Sequence, residues 1–338
     1  QVRTNMVVLL EPGQEQTATF FRDHRVQLVA SLPCYLEENV RDQRGDGVYE
    51  KSVEAIRLLN GLGYGVDPAL PLHLVYNPGG VYNTIRGNFV GTDAAGSQAI
   101  PNMEQGIMLL GGSSDVDIRN NLVSGNGDSG IVLLEDSSSI TITGNYVGID
   151  ASGTFSIPND YCGVLLREGA TENTIGGSTP DERNIISGNA VAGIGLWSSD
   201  SVSNTITGNY IGTDATGAFT IPNGFYGIDV QSGYNVVGGQ NASPGGACSG
   251  ECNLVSGNPG GIQVLGAGAV SNTLAGNYVG TDVNGTNVLM PPDGEYGNGI
   301  FVGWYAAHNR LGGPSPAERN VIAGMIQIGP DFGAPEYT

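Results

Sequence analysis

One phrase recurs along most of this 338-residue chain: Asn-Thr-Ile-x-Gly-Asn-Tyr-Ile-Gly-Thr-Asp. With small substitutions it occupies four stretches, Asn83–Asp93, Ser139–Asp150, Asn204–Asp214 and Asn272–Asp282. Self-similarity at a roughly fixed spacing is the signature of a repeat architecture, in which each structural unit packs against its neighbours. This feature constrains the fold more than length or composition does, because a stacked repeat leaves few ways for the chain to return on itself.

Two shorter phrases alternate with the first from residue 82 onward. Gly-Ile-x-Leu or a close variant begins at Gly106, Gly130, Gly163, Gly193, Gly227, Gly261 and Gly299. An Asn-Tyr-Val or Asn-Leu-Val phrase begins at Asn88, Asn121, Asn145, Asn184, Asn209, Asn253, Asn277 and Asn320. Each phrase has the alternating apolar pattern of a short strand and is followed by turn residues. Three short strands per coil predict a parallel β-helix of about eight coils over residues 81–338, with the asparagines stacked at a turn.

The pattern Asn-x-Ile-x-Gly-Asn-x-Ile-Gly-Thr-Asp resembles that of right-handed parallel β-helix repeat proteins, and the resemblance covers residues 82–329. The resemblance implies an all-β solenoid fold and a secreted or surface location. The better-known relatives act on polysaccharides as pectinase-like hydrolases and lyases. A polysaccharide or cell-surface glycan is therefore the partner that the resemblance implies.

Residues 1–80 have a different pattern. Apolar runs at Met6–Leu10, Val26–Leu32 and Leu72–Tyr76 predict strands, while Gln14–His24 and Tyr49–Gly61 predict helices. Strand–helix–strand–helix–strand is the parallel α/β pattern. Because three strands of an open barrel cannot close a core alone, we expect this segment to cap the first coil of the β-helix.

The same segment also resembles a second family. Glu11-Pro-Gly-Gln-Glu, Ala30-Ser-Leu-Pro-Cys-Tyr-Leu and Leu74-Val-Tyr-Asn-Pro-Gly-Gly are similar to phrases inside arsenosugar-biosynthesis radical SAM proteins, over residues 4–80. That family's chemistry needs an iron–sulfur cluster on a Cys-x3-Cys-x2-Cys motif, whereas Cys34 stands alone here. We therefore expect neither a cluster nor SAM, and interpret the segment as a non-catalytic fragment of a radical SAM barrel.

Charge and cysteine content limit the classes of partner and the compartment. The formal net charge is −20 and Lys51 is the single lysine, which argues against nucleic-acid binding. No run of 18 apolar residues indicates a membrane span, and no signal peptide is visible in the chain. Cys248 and Cys252 lie in a Gly-rich stretch, where a local disulfide would fit an extracellular or cell-surface protein. Two free thiols, or half of a metal site, are the alternatives.

A row of aspartates recurs on alternate coils, at Asp93, Asp150, Asp214 and Asp282. Repeated aspartates in a solenoid suggest calcium, but the spacing differs from the calcium-binding nonapeptide. An aspartate that accepts hydrogen bonds from the backbone of its own turn explains the row more simply. We therefore expect no cofactor, with calcium on this row as the alternative.

The outward positions of the Gly-Ile-x-Leu strands hold the candidate functional residues. They are largely apolar, but Trp197 and Gln231 with Gln263 suit the face and the polar edges of a sugar ring, so we predict a binding site there. The alternative is that another part of the protein covers these positions as a second core. The candidate catalytic residues on the same ribbon are Asp229, Arg167 and Glu135.

Two functions remain open at this point. Glycosidic hydrolysis needs two carboxylates about 5–10 Å apart, and the outward ribbon offers Asp229 with Glu135 only at a strand end. A lyase needs a basic residue, for which Arg167 is the credible candidate. We therefore favour a binding or structural role toward carbohydrate over catalysis by a polysaccharide lyase or glycoside hydrolase. A remnant of a radical SAM protein is the third interpretation.

Overall fold

A computed structural model describes residues 2–4, 6–32, 48–67, 69–76, 83–291 and 299–329. The chain divides into two compact units, residues 1–84 and 85–338. Cys34, the lone cysteine of the segment that resembles radical SAM proteins, lies outside the described residues. Within the described parts of the chain, every helix is too short or too polar to cross a bilayer.

The first unit contains a parallel three-stranded sheet in the order β1 (Val2–Thr4), β2 (Leu28–Leu32) and β3 (Leu72–Tyr76). Helix α1 spans Thr17–Asp23 and helix α2 spans Val48–Gly61. Leu28, Ala30, Ala55, Leu59 and Tyr64 are among the residues buried in its core.

The prediction of a first strand at Met6–Leu10 is wrong. These residues form a 3₁₀ helix, and the strand lies before it. Met6 and Leu9, three positions apart, are both buried. A 3₁₀ helix has three residues per turn, so it brings both side chains to one face.

The second unit is a right-handed parallel β-helix, which confirms the predicted fold class. Its described strands form three parallel sheets of eight strands each. Sheet 1 contains β4 (Asn83–Arg86), β7 (Val116–Arg119), β10 (Thr141–Thr143), β13 (Thr174–Gly176), β16 (Thr205–Thr207), β19 (Val236–Gly238), β22 (Thr273–Ala275) and β25 (Arg310–Leu311).

The other two sheets follow the same order of coils. Sheet 2 contains β5 (Phe89–Val90), β8 (Leu122–Val123), β11 (Tyr146–Val147), β14 (Ile185–Ile186), β17 (Tyr210–Ile211), β20 (Leu254–Val255), β23 (Tyr278–Val279) and β26 (Val321–Ile322). Sheet 3 contains β6 (Ile107–Leu109), β9 (Ile131–Leu133), β12 (Val164–Leu166), β15 (Ala192–Leu196), β18 (Tyr226–Val230), β21 (Gly260–Leu265), β24 (Ile300–Gly303) and β27 (Ile326–Ile328).

Apolar residues at alternate strand positions fill the space between the three sheets. In sheet 3, Ile131, Val164, Ile194 and Ile228 occupy equivalent positions on four successive coils and are fully buried. The strand period of two therefore places one side chain of each pair in the core and the next one on the outer face.

Asparagine ladders run along the corners of the coil. In the predicted ladder, the Asn145 side-chain amide donates to Asn184 Oδ1 at 3.0 Å, and Asn184 donates to Asn209 at 2.9 Å. Two further ladders are present. One joins Asn102, Asn126, Asn159, Asn189, Asn223 and Asn258. The other joins Asn173, Asn204, Asn235, Asn272 and Asn309. These bonds satisfy polar groups that the fold buries.

Four short insertions, here called the lobes, leave the strands of sheet 2 on alternate coils. Antiparallel bridges close them over residues 92–99, 149–156, 213–220 and 281–288. In each lobe one aspartate accepts backbone N–H groups four and five residues ahead, as at Asp214, whose Oδ1 accepts from Ala218 and Phe219 at 3.0 Å. The predicted bonding of the aspartate row to its own turns is therefore confirmed.

The lobes cover an apolar layer on the outer face of sheet 2, here called the lobe-face cluster. Tyr210, Leu254 and Tyr278 are buried in it together with Cys248 and Cys252. The two cysteines are joined by a disulfide, and the Tyr278 hydroxyl donates to the Gly246 carbonyl at 2.6 Å. The Gly-rich stretch around the disulfide therefore closes part of this outer layer.

Candidate functional site

The outer face of sheet 3 carries a second apolar layer. Val132, Leu134 and Leu165 point outward from β9 and β12, yet all three are buried. They pack with Cys162 and Ala192 in a group here called the site-face cluster. For this part of the ribbon the structure selects the second-core alternative, so these apolar side chains are not free to stack on a ligand.

Trp197 lies at the edge of this cluster, directly after β15, and is half-buried. Its indole N–H donates to Asp229 Oδ2 at 2.7 Å on the next coil. Tyr161 contacts it edge-on, with the ring centroids 5.4 Å apart. A Cβ at Gly195 would lie 3.1 Å from the indole, so the absence of a side chain there gives the ring its space.

Asp229 is the centre of the polar group beside this ring. It is 3% exposed, and its carboxylate also accepts from the Gln231 amide at 2.9 Å and the Gln263 amide at 3.2 Å. Burial raises the pKa of Asp229, although the hydrogen bonds from Gln231, Gln263 and Trp197 act to lower it. All three donors are neutral, so the ionised form receives hydrogen bonds but no counter-charge.

The structure therefore brings together four of the predicted residues, Trp197, Asp229, Gln231 and Gln263, here called the Trp197–Asp229 group. Gln231 is the exposed member. Its amide nitrogen is held by Asp229, which fixes the orientation of the whole carboxamide and leaves the carbonyl oxygen directed away from that bond. An indole face beside an oriented amide offers both apolar contact and hydrogen bonding to a ligand.

Of the other two catalytic candidates, Glu135 lies apart from this group, whereas Arg167 directly follows Leu166, which pairs with Leu196 on the coil of Trp197. Arg167 follows β12 and pairs with its neighbour Glu168, with Nε 3.4 Å from Oε1. Glu135 is exposed in the turn after β9. Strand β9 is three strands from β18, which carries Asp229, so three strand spacings, about 14 Å, separate their coils. That separation exceeds the about 5–10 Å that a pair of hydrolytic carboxylates requires.

The sequence reasoning missed two aromatic residues beside the group, Tyr161 and Tyr226. Tyr226 lies between Ala192 and Gly260 on the neighbouring coils and packs against the site-face cluster. Both tyrosines precede a Gly-Ile or Gly-Val phrase by one or two positions. Reading two residues before the glycine that begins each phrase would have found them.

The described residues were also searched for a metal site. Among them, no three His, Cys, Asp or Glu side chains lie close enough to hold one ion. Burial raises the pKa of the Cys162 thiol to about 12, so this cysteine is not a ready thiolate ligand. Cys248 and Cys252 are joined in a disulfide, so they have no free thiol to bind a metal. The described donor set therefore does not form a metal centre.

Comparisons with solved structures find two mannuronan C-5 epimerase modules. The A-module of Azotobacter vinelandii mannuronan C-5 epimerase AlgE4 is 13% identical with a TM-score of 0.40, covering 78% of this chain and 59% of the epimerase module. The AlgE6 A-module is 11% identical with a TM-score of 0.30, over 78% of this chain and 61% of that module. The chain thus spans about three fifths of the length of these modules. No curated protein sequence matches it.

A family profile gives the assignment that these structures do not. The profile described as periplasmic copper-binding protein (NosD) matches residues 17–246, which is more than half of the chain. The match includes most of the segment in which phrases similar to radical SAM proteins occur, and none of the comparisons supports that resemblance. The chain belongs to the NosD family of periplasmic copper-binding proteins.

Proposed function

We propose that this chain is a β-helix protein of the periplasm or the cell surface that binds carbohydrate through the Trp197–Asp229 group. The observation that carries the proposal is the half-buried indole of Trp197, held by its N–H to Asp229 at 2.7 Å. A ring fixed in this way loses little conformational freedom when a ligand binds. The periplasmic description of the family is consistent with the location.

The chemistry of the group suits a sugar. A sugar ring has apolar C–H faces and a rim of hydroxyl groups, and the site supplies an indole and the exposed carboxamide of Gln231 for these two surfaces, while Gln263 is 6% exposed and supports Asp229 from within. Asp229 orients the group, since its two oxygens accept from Trp197, Gln231 and Gln263. The role of Asp229 is therefore to hold the binding residues in place rather than to act on a bond.

Copper does not fit the described residues as a ligand of this site. Copper ions prefer thiolate, thioether and imidazole donors. The Trp197–Asp229 group offers one carboxylate and two carboxamides, and its nearest cysteine, Cys162, is a buried thiol. No step of the proposed function passes through a metal.

The test compares the two tryptophans of the chain. We expect Trp197→Ala to reduce binding to the glycans that the wild type retains, in affinity electrophoresis against a panel of neutral and acidic polysaccharides. A loss of about tenfold corresponds to about 1.4 kcal/mol of binding free energy. Trp304→Ala is the matched control, because Trp304 is 51% exposed and also directly follows a strand of sheet 3.

Two results would contradict the proposal. The first is equal retention of Trp197→Ala and wild type on every glycan that binds. The second is release of reducing ends or of unsaturated uronate products from the panel, which would restore the enzymatic alternative. Trp197→Phe separates stacking from orientation, because it keeps an aromatic ring and removes the N–H that Asp229 accepts.

A further inference from the structure

The four lobes repeat along the axis of the β-helix. Each lobe after the first donates a backbone hydrogen bond to the preceding one, as Ala151 does to Gly96 at 2.9 Å and Ala215 does to Gly153 at 3.0 Å. Lobes leave from every second strand of sheet 2. Equivalent residues of successive lobes are therefore two strand spacings apart, about 9.5 Å.

One position in this repeat presents a large apolar ring to solvent. Phe155 is 71% exposed and Phe219 is 72% exposed at equivalent positions of the second and third lobes. The first and fourth lobes have Gln98 and Asn287 there. Because the lobe closes equally well around an amide side chain, the fold does not require phenylalanine at this position.

The two rings are carried by a rigid backbone. Phe219 donates its N–H to Asp214 Oδ1 at 3.0 Å, and its carbonyl accepts from the Asp214 N–H at 2.9 Å. Phe155 makes the same two bonds with Asp150, at 2.9 and 2.8 Å. A single exposed apolar side chain is ordinary, but two large rings held in line on rigid turns suit a binding surface.

We propose that the row Gln98, Phe155, Phe219 and Asn287 binds a neutral β-1,4-linked glycan chain that lies parallel to the axis of the β-helix. Every second sugar of such a chain turns the same face to one side, and that repeat is close to the spacing of two strands. The two rings would stack on alternate sugars, and the flanking amides would bond hydroxyl groups beyond them.

Charge selects a neutral chain over an acidic one. Every lobe contains an aspartate, and the lowered pKa of Asp93, which has its largest cause in the backbone N–H of Ser97, keeps that carboxylate ionised near neutral pH. The whole chain carries a formal charge of −20. A uronate polymer would be repelled by this surface. The site lies on sheet 2, so it is separate from the Trp197–Asp229 group on sheet 3.

The experiment uses the full chain and two probes, cellohexaose in titration calorimetry and insoluble cellulose in a depletion assay. We expect Phe155→Ala with Phe219→Ala to weaken binding by about tenfold or more, since both stacking rings are removed. Gln98→Phe extends the row to three rings and should tighten binding. Phe20→Ala is the matched control, because Phe20 is 53% exposed in the first unit.

Each outcome decides the proposal. It is overturned if the double variant binds both probes as the wild type does, or if Phe20→Ala weakens binding equally. Self-association that disappears in the double variant, without any binding of cellohexaose, would assign the row to a second copy of the chain and reject the glycan. Trp197→Ala is measured in parallel. If this variant still binds cellohexaose while the double variant does not, the row binds glycan independently of the Trp197–Asp229 group.

Discussion

The outer faces of sheet 2 and sheet 3 carry apolar clusters built from the same kind of strand, yet they differ in what lies above them. On sheet 2, Tyr210 and Tyr278 are 4% and 2% exposed, because the lobes and the disulfide stretch cover them. On sheet 3, Trp197 stays half-buried at the edge of its cluster and is linked to Asp229. An outward aromatic residue therefore becomes core or surface according to the insertion beside it.

The carboxylates of the two faces also respond to pH in opposite directions. On the lobes, burial acts to raise the pKa of Asp282, but hydrogen bonds from Asn287 and Thr286 outweigh it and lower the pKa to about 2. On sheet 3, burial raises the pKa of Asp229 above its usual range. Protonation of Asp282 in acid therefore destabilises its lobe. Ionisation of Asp229 at neutral pH, in contrast, destabilises the Trp197–Asp229 group.

The largest effect should come from removing an aromatic residue under a lobe. Tyr210→Ala deletes a buried ring that a Cβ on Gly217 of the lobe above would meet at 3.0 Å and whose centroid lies 4.1 Å from the Arg183 guanidinium. We expect it to lower the free energy of unfolding by about 3–5 kcal/mol, as in other buried aromatic deletions. Urea denaturation measures the change. Tyr234→Ala, at a residue 60% exposed, is the control; equal losses would show that the lobes close no core.

A smaller loss should follow from Asp282→Ala, which leaves the backbone N–H groups of Thr286 and Asn287 without their acceptor. We expect about 1–3 kcal/mol at pH 7. Because the folded pKa is lowered, the stabilisation is complete above the unfolded value of about 3.9 and is lost as pH falls toward 2. The difference from wild type should therefore shrink between pH 4 and 2. A difference independent of pH would exclude the carboxylate as its cause.

The smallest effect should come from Asp229→Asn, which keeps the shape of the side chain and removes its charge. The folded pKa of Asp229 is raised, so the stability it contributes is complete below about 3.9 and is lost as pH rises through the folded value. Relative to wild type, the variant should gain about 1 kcal/mol or less between pH 4 and 7. Unfolding midpoints at these two pH values measure the gain, and a loss would show that Asp229 is stabilised by its ionisation.

Much of the β-helix could be predicted because its determinants are local. The alternation of Ile131 and Leu133 with Val132 identifies the inward side of a strand without knowledge of its neighbours. The recurring asparagines predicted a ladder, and the described residues form three of them. The first unit was harder: Met6–Leu10 is apolar throughout, and a short apolar run fits a strand and a 3₁₀ turn equally.

The candidate site was predictable only in part. Sequence reasoning found Trp197, Asp229, Gln231 and Gln263 because coil stacking places equivalent positions side by side. It could not separate them from Glu135, because the number of coils between two residues, not the type of residue, sets their distance. It also left open whether the apolar outward positions are exposed or covered, and the packing around Val132 makes that position core.

The sequence by itself determined the coil, the inward and outward sides of each strand and the turns that the lobe aspartates close, since these depend on residues a few positions apart. Only the tertiary structure decided which outward residues are covered. Tyr278 is closed by the carbonyl of Gly246, and Trp197 is held by Asp229, each about one coil away along the chain. Cover and orientation come from such distant partners, and a local pattern contains no information about which partner will stand above a given side chain.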